Sequence, residues 1–77
     1  MSLTLVITSS LGTVRRAVDN VGSAQVLTRA YIEARDLTAG CGADQSRVFD
    51  RALVLDDHGP VASISYNGRA WPIERGA

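Results

Sequence analysis

The sequence predicts an α+β domain, a two-layer sandwich in the order β-α-α-β-β-β with a C-terminal antiparallel three-stranded meander packed on two helices. Three observations carry that expectation. Residues 3–8 alternate apolar and polar side chains, residues 14–37 carry apolar side chains at helical spacing, and the last third holds two reverse-turn signals.

In the first element Leu3, Leu5 and Ile7 alternate with Thr4, Val6 and Thr8, the pattern of a half-buried strand. Ser9-Ser10-Leu11-Gly12 breaks it, and Thr13 stands where an N-cap would start a helix at Val14. Val14, Ala17, Val18 and Val21 share one helical face, while Leu27, Ala30, Tyr31, Ala34 and Leu37 share another. At about 100° per residue these stripes point to opposite sides of a continuous helix. The chain therefore reads as two helices, 14–21 and 24–37, with Gly22-Ser23 at the change of phase and Ser23 as the second cap. Ile32 falls on the polar side of the second helix, beside Thr28, Arg29, Arg35 and Asp36. Gly40 is the expected stop, and residues 38–46 form the long loop.

Strands are expected at 48–56, 61–66 and 69–73. Asn67-Gly68 suits a two-residue type I′ turn, because both residues tolerate positive φ. That turn sets Ile64 opposite Trp71 and Ala62 opposite Ile73. A second turn at Asp57-His58-Gly59-Pro60 sets Leu55 opposite Ala62 and Leu53 opposite Ile64. One face then carries Leu55/Ala62/Ile73, Leu53/Ile64/Trp71 and Arg51/Tyr66/Arg69; the other carries Val54/Ser63/Pro72 and Ala52/Ser65/Ala70. The helices are expected on the first of these faces. The first strand fits either edge of the meander.

The 77 residues suit one small domain, 1–77. A chain of this size buries only about 60% of the surface it exposes when unfolded, and the single Cys41 offers no disulfide. Both facts favour self-association. Formal net charge is zero, which argues against a dedicated binder of nucleic acid or of an anionic membrane surface. All eight basic residues are arginine, suited to planar bidentate contacts, although GC-rich coding explains the same bias. No apolar run reaches the length of a spanning helix. The lack of a signal-peptide pattern and the unpaired cysteine make the cytoplasm the expected compartment.

Three places break a local rule. Arg15 and Arg16 in an opening helical turn oppose the helix dipole; with Ser10, Gly12 and Thr13 they compose a candidate site for phosphate-type anions. The bland alternative is a solvated face with Arg15 paired to Asp19. Arg51, Tyr66 and Arg69 form a second candidate row, for an acidic ligand or a stacked base, or else arginine stems covering the core edge with Asp44 and Asp50 as counter-charges. Cys41 between two glycines could act as a nucleophile only if His58, oriented by Asp56 or Asp57, reached it. One Cys and one His do not complete a zinc site.

No catalytic residue, metal or cofactor is assigned. The leading expectation is a non-enzymatic interaction or accessory module, homodimeric, with Ile32, Ala52 and Val54 adding apolar surface for self-association and with an unidentified protein partner. An anion or nucleic-acid binder is the alternative, and a Cys41-dependent small enzyme the third. A winged-helix reading, with Gln25, Thr28, Arg29 and Arg35 facing DNA, ranks lower because Glu33 and Asp36 offset the charge.

Overall fold

The computed structural model describes residues 3–39 and 47–73. Strands β1 (Leu3–Ser9) and β2 (Gly12–Val18) form a hairpin, helix α1 (Val21–Arg35) follows, and β3 (Phe49–Asp56), β4 (Gly59–Ile64) and β5 (Ala70–Pro72) form a meander. The five strands make one antiparallel sheet in the order β2-β1-β3-β4-β5, with α1 on one face. The fold is thus α+β. Its first strand joins the meander at β3.

The expected helix at 14–21 is a strand. Ser10-Leu11 connects the paired residues Ser9 and Gly12, and Gly12 adopts a φ of 122°, a region closed to most L-residues. Once the chain reverses there, Val14 meets Ile7 and Val18 meets Leu3. The four-residue spacing of Val14 and Val18 misleads because it fits one face of a helix and one face of a strand equally well.

Helix α1 starts at Val21, capped by Asn20 rather than Ser23; the Ser23 backbone N–H donates to Asn20 Oδ1 at 2.8 Å. It ends at Asp36, whose φ of 54° is left-handed, and the Leu37 N–H closes back onto the Ile32 carbonyl at 3.0 Å. Leu37 itself is buried and so belongs to the stop, not to the helix. The helix also turns a different side inward from the one expected. Ala24, Thr28 and Ile32 are its buried residues, with Ile32 only 2% exposed. Thr28 is accommodated because its hydroxyl donates to the Ala24 carbonyl at 2.7 Å. Ala24 and Thr28 are small, so the helix lies close to the sheet.

The meander is offset by one residue from the expected pairing at both turns. At the first, the loop has three residues, Tyr66-Asn67-Gly68: Gly68 N–H donates to the Ser65 carbonyl and Ser65 N–H to the Arg69 carbonyl, each at 2.9 Å, with Gly68 at φ 86°. At the second, Asp57-His58 joins the paired residues Asp56 and Gly59, and a bulge opposite Val54 and Leu55 leaves Val61 as the extra residue. Ile64 therefore faces Ala52 and Ala70, and Ala62 faces Val54 and Pro72. A slip of one residue exchanges the faces. Ala52, Val54, Ala62 and Ile64, with Leu5 and Ile7 of β1, build the core under α1, together with Val18, Phe49 and Leu37. Leu53, Ser63 and Trp71 share the opposite face, separated from Ile64.

Two further links fasten the ends of the layer. Ser10 N–H donates to the Val48 carbonyl and Val48 N–H to Ser10 Oγ, while Thr38 and Val48 form an isolated parallel bridge. On the far side, Arg29 Nη1 donates to the Tyr66 carbonyl at 2.6 Å and Gln25 Nε2 to the Gly68 carbonyl at 2.9 Å. These bonds pin α1 to the β4–β5 turn.

Candidate functional site

The anion site expected around Ser10, Gly12, Thr13, Arg15 and Arg16 loses the helix end that motivated it, since those residues form a hairpin turn and an edge strand. Ser10 is engaged as a latch to Val48. Arg15 and Arg16 are neighbours on a strand, so they project to opposite faces of the sheet. The second row is also redistributed. The Tyr66 ring lies beneath the Arg29 guanidinium, 5.4 Å away, and edge-on to Phe49 at 6.3 Å, whereas the Arg69 guanidinium sits 5.8 Å from the Trp71 ring. Arg51 lies on β3 opposite Thr8. Tyr66 and Arg69 both line a shallow depression beside Trp71, and Arg51 is not among its lining residues.

Cys41, the candidate nucleophile, and Asp44 lie outside the described residues. His58 is in the β3–β4 turn, where its backbone N–H donates to Asp56 Oδ1 at 2.7 Å. Among the described residues no three His, Cys, Asp or Glu side chains are grouped to hold a metal ion, and no helix is long and apolar enough to cross a membrane. Every buried side-chain polar atom among them has a hydrogen-bond partner.

Two surfaces remain, and both follow from how the layers meet. The first is the sheet face turned away from α1. Reading across the strands, one row runs Arg15, Val6, Leu53, Ser63, Trp71, and the next runs Ala17, Thr4, Leu55, Pro60. The large side chains Leu53, Leu55 and Trp71 thus lie outward while Ala52, Val54 and Ala62 lie under the helix. Trp71 is 53% exposed.

The second is a groove between β2 and α1. A hollow of about 220 Å³ has Leu5 and Ile7 at its floor, Val14 and Arg16 on the strand side, and Leu27, Ala30 and Tyr31 on the helix side. A wider depression of about 620 Å³, lined by Ala17, Val18, Asp19, Val26 and Leu27 among others, continues it toward the start of the helix. The helix wall is the stripe Leu27, Ala30, Tyr31 that periodicity assigns to the core. Here it borders an open groove, and Leu27 is 39% exposed. The sequence signal that marks both surfaces is an apolar side chain left over after the core is filled.

Comparison with models of known protein families, with characterised proteins and with solved structures finds no match for this chain. The fold and these two surfaces therefore carry the functional reading alone.

Proposed function

We propose that this protein is a non-enzymatic interaction module that forms a homodimer by packing two open sheet faces together. The observation that supports this reading is the placement of Val6, Leu53, Leu55 and Trp71 on the face that α1 leaves uncovered. Apolar rows of this kind are buried by a second layer in stable α+β and sandwich architectures. Five strands spaced about 4.8 Å apart, with about six paired residues rising 3.3 Å each, give a face of roughly 24 by 20 Å. Two such faces in contact bury about 1,000 Å² in total, the lower limit for a specific association. Arg15, Arg51 and Arg69 border the apolar block and supply a charged rim.

Sedimentation equilibrium tests the proposal. The expected result is a dimer at micromolar concentration that Leu53→Asp converts to a monomer, with unchanged far-ultraviolet circular dichroism. A strict monomer at high micromolar concentration, or a dimer indifferent to Leu53→Asp and to Trp71→Ser, would refute it.

A further inference from the structure

We infer that the β2–α1 groove receives an extended acidic segment of a partner protein, added as a sixth strand along β2. This surface meets the rim of the open face at Arg15, and the inference does not depend on the dimer. Among the described residues β2 is the outer strand of the sheet and pairs only with β1. Counting the antiparallel ladder from the turn-closing pair Ser9 and Gly12, the N–H and C=O groups of Thr13, Arg15 and Ala17 point away from β1. The Arg15 carbonyl is on that outer side, where the guanidinium of Arg16 reaches it at 3.1 Å. An unpaired seven-residue edge invites strand addition.

The chemistry of the edge selects the occupant. Among the described residues neither Arg15 nor Arg16 forms an ion pair with another, in contrast to Arg29, which pairs with Glu33. An incoming backbone N–H replaces the Arg16 side chain on the Arg15 carbonyl and frees that guanidinium for a carboxylate. Residues directly opposite in an antiparallel pair share a face. The added strand therefore meets Arg15 and Arg16 with two adjacent acidic residues, one on each side of the sheet. Opposite Val14 and Val18 it places apolar side chains, which drop toward Leu27, Ala30 and Tyr31. A second copy of this chain is the poorer occupant of the edge, because antiparallel β2–β2 pairing sets arginines against arginines. Asp19, at the wide end of the groove, also disfavours an acidic residue beyond Val18.

The probe is the blocked peptide Val-Thr-Glu-Glu-Val-Thr, titrated into the nitrogen-15-labelled 77-residue chain. Expected are amide shifts confined to residues 13–18 and to the Leu27–Tyr31 side of α1, weakening as salt is raised. The double variant Arg15→Ala/Arg16→Ala should lower affinity by about tenfold or more, the effect of losing roughly 1.4 kcal/mol of charge-assisted contact. Methylating the backbone nitrogen of the second Glu, which faces Arg15, should abolish binding. The Leu53→Asp protein should bind as the natural one does, so failure of the dimer leaves this result standing. Equal binding of the peptide with both Glu replaced by Lys, or of the methylated peptide, overturns the inference. So do the absence of any shift at millimolar peptide and the appearance of the same β2 shifts on concentrating the Leu53→Asp protein alone.

Discussion

Ile32 and Leu27 decide which side of α1 faces the sheet, and truncating each to alanine separates the structure from the periodicity of the sequence. Ile32 is 2% exposed among Ala24, Leu37 and the strand side chains of the core, so Ile32→Ala leaves a closed cavity and should cost about 2–4 kcal/mol. Leu27 is 39% exposed at the groove wall. Its removal opens to solvent rather than to a void, and only part of its transfer free energy is lost, about 1 kcal/mol. A domain of this length has a total stability of roughly 4–12 kcal/mol, and each kcal/mol moves the midpoint of thermal unfolding by about 4–8 °C. Ile32→Ala should therefore lower Tm by about 8 °C or more, and Leu27→Ala by less than about 8 °C. Ile32→Val, expected to cost about 1 kcal/mol, keeps the comparison readable if the alanine variant unfolds. Thermal and urea unfolding followed by circular dichroism, at one protein concentration for all variants, measures the difference. If Leu27→Ala proves the more damaging, α1 is rotated so that its Leu27, Ala30 and Tyr31 stripe is the buried one, and the groove does not exist.

Three further variants test the local devices that hold α1. Asn20→Ala removes the acceptor for the Ser23 N–H and should cost about 1 kcal/mol in urea unfolding. Asp36→Gly should raise stability by about 0.5–1 kcal/mol, because the left-handed φ of 54° suits glycine and the helix C-terminus sheds a negative charge. Gly68→Ala should lower stability by about 1–2 kcal/mol, since it strains a φ of 86° and brings a Cβ to 2.7 Å from Arg29 Cγ. The same variant should loosen the Arg29 contact with Tyr66, visible as a change in the Tyr66 ring resonances.

The elements with one dominant signal are legible in the sequence, and those where two signals compete are not. The alternation in residues 3–8 corresponds to β1, and the turn residues at 57–60 and 66–68 mark both hairpins of the meander. The register fails because Asn67-Gly68 is compatible with a two-residue and a three-residue loop, and because the extra residue Val61 carries no distinguishing composition. Each ambiguity is worth one residue, enough to move Leu53 and Trp71 from the core to the open face. In β2 the pair Val14 and Val18 satisfies both periods, and only the glycine at position 12 favours the turn. The same position recurs in the β3–β4 hairpin, where Asp56-Asp57-His58-Gly59 parallels Ser9-Ser10-Leu11-Gly12. That parallel is the sequence signal which identifies residues 9–18 as a hairpin.

The sequence places Leu27, Leu53 and Trp71 in the core and Ile32, Ala52 and Val54 outside it; the structure exchanges the two sets, and the reason lies in volume. A helix pinned to one side of a sheet packs closest where both layers present small groups, and here Ala24 and Thr28 meet Ala52, Val54 and Ala62. Hydrophobicity alone ranks Leu27, Leu53 and Trp71 above those residues as core candidates, but their bulk would hold the layers apart. They remain outside, on the groove wall and on the open face. The arginines follow the same division, with Arg15 at the end of the open-face row and Arg16 at the groove. Adjacent residues on one edge strand thus serve two different surfaces, and a single substitution at either should affect one mode of association more than the other. Arg16→Ala should weaken peptide addition without changing the dimer. Arg15→Ala, which removes both an open-face rim charge and the guanidinium that meets the second Glu of the peptide, should affect both; if Arg16→Ala instead disrupts self-association, the two surfaces are not separate.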